Sequence, residues 1–330
     1  TRPRVAIADI DIVNPYFRTE DSREELERDG IIYREQRNGI FANRTMSGET
    51  HRIVLVRVDW NCEHAERFSV AFRREMKKRR KYSYTELRFP PRNNRDFWKK
   101  LEQITADLMV LWLENLPPEQ MLKFCTMPCR TVFFDCGVML DDIAIFDLQE
   151  ELIGMMAARF LVKHGHRRIA LLITEPQGLT CRKKVNGFLD YLHLEKIEPQ
   201  IIDFQAHRGD ATQSFVYDFL SDYLKRNRVD FSACFALSDS TLLGVVKALT
   251  EAGFKIPEQI SVIGCQGEMA GEYSSPPLST IIFDMERAAK MLAVGIDEVF
   301  AGGQFGIRRI APVLIERQLV IDFKGRTGRK

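Results

Sequence analysis

The feature that most constrains the fold of this sequence is a regular alternation of short apolar runs and helical segments from residue 52 onward. The runs are rich in the β-branched and aromatic residues that favour strands, and they read RIVLVRV, YTELRF, LMVLWL, RTVFFD, RIALLI, QIIDF, ACFAL and QISVIG. Most segments between them repeat apolar residues at helical spacing, as at Phe68, Phe72 and Met76. Strands joined by helices form parallel sheets covered on both faces. About eight strands therefore predict an α/β chain of two doubly wound, Rossmann-like lobes with roughly four or five strands each.

Polar residues stand directly after most of these apolar runs. They are Asp59-Trp60, Glu114-Asn115, Asp135-Cys136, Thr174-Glu175 and Ser238-Asp239. Ligands of doubly wound sheets bind beyond the carboxyl ends of the strands. We therefore expect these residues to line a binding cleft.

Composition and charge exclude several classes of protein. Hydrophobic residues make up 45% of the chain and charged residues 28%, which is typical of a globular protein. A net charge of +2 gives no overall attraction to nucleic acid or to an anionic membrane, so any electrostatic partner must act locally. The apolar runs are too short to cross a bilayer and no signal peptide opens the chain. We expect a cytoplasmic protein with reduced cysteines and no membrane contact.

No enzyme motif follows the predicted strands. A glycine-rich phosphate loop, a GxSxG elbow and an HExxH pair are all missing from the sequence. We therefore expect no catalysis, no cofactor and no metal. His164 and His166 bracket Gly165, and this arrangement is typical of a helix C-cap glycine followed by a turn histidine that bonds to backbone.

A strongly basic run, FRREMKKRRK at residues 72–81, allows two interpretations. Seven of its ten residues are lysine or arginine. It could contact DNA or an acidic partner, or it could be the solvated end of a helix, where positive charge interacts favourably with the helix dipole.

Several segments resemble the LacI/GalR family of transcriptional regulators. FLVKHGHRRIALLI (160–173) looks like that family's link between lobes, and DFSACFALSDSTLLGVVKALTEAGFKIPEQISVIGCQGEMAGEYSSPPLSTI (230–281) is similar to the family throughout. The segment CRKKVNGFLDYL (181–192) also resembles it. The resemblance covers roughly residues 52–320. It implies a periplasmic-binding-protein type I fold with an effector held between two lobes, and a homodimer that binds operator DNA.

The segment ELERDGIIYREQRNGIFANR (25–44) resembles the end of a GntR-type winged helix. The matching parts are the tail of a recognition helix, strand IIYRE, wing tip QRNG and strand IFAN. Arg34, Arg37 and Arg44 make this hairpin basic and suited to DNA phosphates. The alternative is a plain surface hairpin.

The sequence predicts three parts along the chain. Residues 1–22 remain unassigned, and 23–47 form the partial winged helix. The sensor domain spans 48–325, with lobe one at about 52–160 plus 284–310 and lobe two at about 161–283 plus 311–325.

Carried over by position, the resemblance points to specific effector contacts. Sugar-binding members of the family place an arginine and an aspartate where this chain has Lys184 and Gln266. Lysine lacks the planar fork of arginine and glutamine lacks a charge, so we expect a sugar derivative or similar polar molecule rather than a plain pentose or hexose. The residues predicted to bind it are Asp59, Trp60, His64, Glu114, Asp135, Lys184, Ser238, Asp239 and Gln266.

The function that these patterns favour is an effector-responsive, DNA-binding transcriptional regulator. The alternative is the solute-binding protein of a sugar transporter, which shares the fold but is exported and has no wing-like hairpin.

Overall fold

The computed structural model of the chain describes most of the sequence after residue 49 and a short hairpin before it. The described residues are 32–35, 39–42, 50–59, 62–89, 95–113, 116–137, 143–207, 212–267 and 269–323. The chain divides into two compact units, residues 1–51 and residues 52–330.

The first unit contains an antiparallel hairpin of strands β1 (Ile32–Glu35) and β2 (Gly39–Ala42). Ile32 pairs with Ala42 and Glu35 pairs with Gly39. The two strands predicted in this segment are therefore confirmed. The other parts of the predicted winged helix, including Arg37 and Arg44, lie outside the described residues, and only the backbone of Arg34 is described, in β1.

The second unit alternates strands and helices as the sequence predicts. Its elements in chain order are β3 (His51–Val58), α1 (Glu63–Lys77), β4 (Tyr82–Phe89), α2 (Arg95–Glu102), β5 (Leu108–Trp112), α3 (Pro118–Cys125), β6 (Arg130–Phe134), β7 (Ile145–Leu148), α4 (Glu150–Lys163), β8 (Ile169–Ile173), α5 (Leu179–Leu194), β9 (Gln200–Asp203), α6 (Gln213–Arg226), β10 (Ala233–Ala236), α7 (Asp239–Glu251), β11 (Ser261–Cys265), α8 (Met269–Glu272), β12 (Ser279–Ile282), α9 (Met285–Phe300), β13 (Ile307–Ile310) and β14 (Val313–Ile315).

The strands form two sheets, one in each lobe. Within the described residues, lobe one has six strands in the order β13-β7-β6-β5-β3-β4, and lobe two has six in the order β14-β12-β11-β10-β8-β9. Neighbouring strands are mostly parallel, and the pairing of β12 with β14 is antiparallel. The predicted α/β class of two doubly wound lobes is confirmed.

The first helix of the second unit shows how local sequence sets this packing. Phe68, Phe72 and Met76 recur on one face of α1 and are buried in the core of lobe one. Glu63 and Glu66 lie in the first turn of α1, and the last turn is basic, so both ends match the helix dipole. The basic run 72–81 thus includes the end of a helix.

The chain first crosses between the lobes earlier than expected. The crossing lies at Gln149, between β7 and α4, and not near residue 160. Ile153, Ala157 and Leu161 of α4 lie in the core of lobe two, together with side chains from β8 and β10. The sequence showed the helical period of α4 but hid β7, because this four-residue strand contains Asp147.

Two further crossings in the described chain follow β12 and β13. The segment 283–284 leads into α9, which packs on α1 in lobe one, and the segment 311–312 leads back to β14 in lobe two. Strands β12, β13 and β14, which have three or four residues each, were not among the eight predicted.

Two simpler expectations concern membranes and cysteines. Among the helices described, none has the length and apolar character needed to span a bilayer. All seven cysteines are free thiols.

Candidate ligand site between the two lobes

The carboxyl ends of the two sheets face each other across the gap between the lobes. Asp135, which follows β6 in lobe one, lies 3.7 Å from the ammonium of Lys183 on α5 in lobe two. The loop residue Gly137 of lobe one packs against the side chain of Leu179 at the start of α5. Polar residues at these strand ends therefore meet in one interlobe region, as the fold predicts.

Two of the predicted ligand residues, Lys184 and Gln266, converge on Glu175. The Lys184 ammonium lies 3.3 Å from Glu175 Oε2 and donates to the Leu237 carbonyl at 3.3 Å. The Gln266 amide donates to Glu175 Oε1 at 3.3 Å. Burial opposes a charged lysine, but the acidic groups of Cys265, Glu175 and Glu150 around it raise the pKa of Lys184 well above its usual value. Lys184 is therefore a buried ammonium held by a carboxylate.

A neighbouring lysine, Lys183, joins the lobes through three carboxylates. Its ammonium lies 3.5 Å from Asp147 Oδ1 in β7, 3.7 Å from Asp135 Oδ1 and 3.9 Å from Glu151 Oε1 on α4. Burial raises the pKa of Asp135 well above its usual value, with repulsion from Glu150 as the next cause, while Lys183 lowers it. In this cluster Lys183 attracts carboxylates of the other lobe, while the neighbouring carboxylates repel one another.

Glu150, the first residue of α4, is buried between the lobes at 3% exposure. Its Oε2 atom has no hydrogen-bond partner within the described part of the chain. Burial raises the pKa of Glu150, and the charges that act on it come from Lys184, His64, Glu175 and Lys183. Since His64 belongs to lobe one and the others to lobe two, this carboxylate lies where the two lobes meet.

Lobe one contributes a thiol and an imidazole at the start of α1. Cys62 Sγ lies 2.6 Å from His64 Nδ1, and the His64 ring lies 6.1 Å from the Trp112 ring at the end of β5. Burial raises the pKa of the Cys62 thiol to about 11. The thiol therefore stays protonated at neutral pH, which makes it a poor nucleophile. The role of His64 in ligand binding stays a prediction.

The predicted ligand residue Asp239 is fully buried and bonded within lobe two. Its Oδ2 accepts from the Gly267 backbone N–H at 2.8 Å and from the Thr280 hydroxyl at 2.7 Å. Its other oxygen lies against Gly264, where any Cβ atom would collide with it. Asp239 therefore holds the loop that carries Gln266.

The remaining predicted residues are placed less centrally. Ser238 is buried, and its hydroxyl lies 2.6 Å from that of Ser240. The carboxylate of Asp59 is exposed and lies 4.0 Å from Arg88. Trp60 and Glu114 lie outside the described residues.

The residues that sequence reasoning missed are Lys183, Glu150 and Glu151. Lys183 directly precedes the predicted Lys184. It differs from Lys184 in that its ammonium lies near the lobe-one carboxylates of Asp135 and Asp147. Glu150 and Glu151 follow β7, which was not predicted, so the rule that polar residues after a strand line the site was never applied to them. A strand assignment for IFDL (145–148) would have provided that signal.

Two mostly parallel sheets with polar side chains between their carboxyl ends define a class of protein. It is the two-lobed domain of the periplasmic-binding-protein type I fold. Residues 158–318 match the family described as periplasmic binding protein-like domain. Among the described residues, no group of histidine, cysteine, aspartate and glutamate side chains is arranged to hold a metal ion.

Similar proteins are transcriptional repressors. The HTH-type transcriptional repressor PurR of Vibrio atlanticus is 32% identical over 140 residues, which cover 42% of this chain and 40% of that protein. The lac repressor dimer bound to operator and the anti-inducer ONPF matches with a TM-score of 0.71 at 18% identity, over 83% of this chain and 96% of that one. A LacI-family regulator from Enterococcus faecium with bound ribose matches with a TM-score of 0.69 at 18% identity, over 83% of this chain and all (100%) of that one. The second unit therefore has the periplasmic-binding-protein type I fold of these regulators.

The sequence match covers well under two thirds of the curated relative's length, at 40% for the Vibrio atlanticus repressor.

Proposed function

We propose that this protein is a cytoplasmic, effector-responsive transcriptional regulator. A polar small molecule, a sugar or a sugar derivative, binds between the two lobes, and operator DNA binds through the N-terminal segment of a homodimer. The observation that carries this proposal is the convergence of Lys184 and Gln266 on Glu175 in lobe two, beside Lys183, whose ammonium lies 3.7 Å from Asp135 of lobe one.

The interlobe placement supports sensing rather than simple storage. Lys183 reaches Asp135 and Asp147 in the other lobe, so a ligand that displaces any of these contacts changes the relative free energy of the open and closed arrangements. A ligand shifts such an equilibrium by its difference in affinity for the two states. The bound ribose and ONPF in the similar regulators support a small polar effector here.

The hairpin supports the DNA-binding part. It has the two strands expected of a wing, and Arg34, Arg37 and Arg44 belong to the same segment. We propose that these arginines contact phosphates, which would fix the position of the protein on DNA without specifying the base sequence. A solute-binding protein of a transporter shares the fold of the second unit but has no use for such a basic hairpin.

The test is DNA binding by the complete gene product. Fluorescence anisotropy with selected palindromic operators should show binding that weakens steeply with salt, because phosphate contacts release counterions. Arg37→Ala should weaken binding to all sequences alike and reduce the salt slope by about one.

The matched control is Arg228→Ala, which removes an exposed arginine from lobe two and should leave the affinity unchanged. If the combined loss of Arg34, Arg37 and Arg44 leaves operator affinity intact, the wing assignment is wrong. A gene product that binds no DNA but binds a sugar tightly would instead support the transporter alternative.

A further inference from the structure

The interlobe region contains more acidic than basic side chains. Its carboxylates belong to Asp135, Asp147, Glu150, Glu151 and Glu175, whereas the buried ammonium groups are those of Lys183 and Lys184. Two half-exposed side chains of opposite charge, Arg309 and Glu151, lie at the edge of the region. Among the described residues, the region therefore contains more carboxyl than ammonium groups.

Both lysines already form ion pairs with some of these carboxylates. Lys183 is shared among Asp135, Asp147 and Glu151, and Lys184 lies against Glu175. No hydrogen bond from either lysine reaches Glu150 among the described residues. A buried carboxylate without a donor carries a large desolvation cost unless it is protonated or paired.

Glu150 is therefore the carboxylate of this region to which a positively charged ligand group could bind. Its Oε2 atom is buried and lacks a partner in the described chain. Charges from both lobes act on this carboxylate, that of His64 from lobe one and those of Lys184 and Glu175 from lobe two. Because this oxygen is buried, a ligand reaches it only when the lobes part around Glu150, and the oxygen is then an acceptor without a donor among the described residues.

We propose that the effector carries a protonated amine, which binds Glu150, in addition to hydroxyl groups. An amino sugar is the simplest molecule of this class. This inference rests on the proposed effector-sensing function and specifies the charge of the effector. Sugar acids and sugar phosphates would add negative charge beside these carboxyl groups, so we expect them to bind more weakly than an amino sugar.

The proposal fixes the sign of the pH dependence of binding. An amine favours the ionised form of Glu150, whose pKa burial raises in the empty protein. Asp135, whose pKa burial also raises, becomes more negative as the pH rises, while Lys183 and Lys184 stay charged. Affinity for an amine should therefore increase from pH 5 to pH 7.

The experiment is a thermal-shift comparison of matched sugars with the whole protein. The probes are glucosamine, glucose, gluconate and glucose 6-phosphate, together with galactosamine, galactose and galacturonate, each at millimolar concentration. We expect an amino sugar to give the largest rise in melting temperature. Calorimetry should then show an affinity that increases between pH 5 and pH 7.

The variant that tests the contact is Glu150→Gln, which keeps the shape of the side chain and removes its charge. It should lower the affinity for the amine by about tenfold or more, since hydrogen bonds to charged groups are the strong ones, and it should raise the melting temperature of the empty protein. The matched control is Glu195→Gln at the exposed end of α5, which should change neither property.

Three outcomes would overturn the inference: no amine stabilises the protein, a neutral or anionic sugar stabilises it most, or Glu150→Gln leaves amine affinity intact. The pH series on the unaltered protein decides the question if the variant does not fold. Binding of a neutral or anionic ligand that requires Lys184 and Gln266 would contradict the proposed charge of the effector. It would still support the proposed effector-sensing function. Loss of operator binding would instead count against the regulator.

Discussion

His166 shows at the residue scale how lobe two holds the end of its own chain. The ring is buried, with Nδ1 2.9 Å from the Ser232 hydroxyl and Nε2 3.2 Å from the Ile321 carbonyl. Because a carbonyl only accepts, Nε2 carries the proton and donates to Ile321. The preceding Gly165 has a φ of 83°, which places the turn after α4. The predicted C-cap glycine and backbone-bonded histidine are both confirmed.

The first prediction at this scale concerns acid stability. Burial lowers the pKa of His166 to about 4 from the ordinary 6.5, so the unfolded chain binds a proton in this range and the folded one does not. Stability from this group is present above pH 6.5 and is lost as the pH falls toward 4. At pH 5 the loss should be about 2 kcal/mol relative to pH 7.5.

Urea unfolding at several pH values measures this effect as a difference between variants. His166→Asn should show a smaller loss of stability from pH 7.5 to pH 5 than the unaltered protein. His193→Asn, at an exposed position on α5, is the control and should not change the loss. Equal losses in all three proteins would contradict the assignment.

At the scale of elements, the seam between α4 and α5 determines where the site residues lie. The helices touch backbone to backbone, since a Cβ at Gly154 would collide with the Lys184 carbonyl and a Cβ at Gly187 with the Glu151 carbonyl. Glu150 and Glu151 lie at the start of α4, and Lys183 and Lys184 lie on the facing helix. Close packing of the two helices therefore brings acidic and basic groups to the same place.

Much of this element-level arrangement could be predicted from the sequence. The period of Met155 and Phe160 indicated α4, and family position indicated Lys184. The different partners of Lys183 and Lys184 could not be predicted. Adjacent residues on a helix point about 100° apart, and only the tertiary packing decides which groups each side chain contacts. Asp239 was predicted to bind ligand for a similar reason: an aspartate after a strand looks the same in sequence whether it faces a cleft or a neighbouring loop.

The prediction for this seam is that Gly187→Ala destabilises the protein. The added methyl has no space against the Glu151 carbonyl, so the helices must separate, and the free energy of unfolding should fall by about 1–3 kcal/mol. Asn186→Ala is the matched control, because residue 186 is exposed and alanine favours the helix. Chemical denaturation of both variants is the measurement, and equal stability would show that the seam tolerates the methyl.

At the scale of the whole molecule, the two-lobed organisation was predicted more reliably than the lobe boundaries. Long runs such as IVLVRV (53–58) and LMVLWL (108–113) are buried along their entire length and indicate the central strands. The crossings fall in segments of one to two residues beside strands of three or four, which carry little periodic signal. The central sheet strands are therefore readable from sequence, whereas the connections between lobes depend on tertiary pairing.

The prediction at this scale is a homodimer, as a palindromic operator requires. Light scattering at micromolar concentration should give about twice the chain mass of 38.2 kDa. Tyr273 and Leu194 are both highly exposed, at 79% and 78%, but tyrosine is enriched in interface hot spots and leucine is not. Tyr273→Asp should therefore weaken the dimer and Leu194→Asp should not. A protein that stays at 38.2 kDa throughout would remove the dimer from the proposed mechanism.

The three crossings between the lobes also affect how the protein is made on the ribosome. Helix α9 supplies Met285, Ala288 and Leu292 to the core of lobe one, which also contains Phe68 from α1. These residues are synthesised after β12, when all but one strand of the lobe-two sheet has already been translated. Multidomain chains usually fold from the N-terminus during synthesis. Here the first lobe to emerge from the ribosome is the last to be completed. A nascent chain stalled after residue 284 contains nearly all of lobe two, whereas its lobe one still lacks helix α9, which packs on α1.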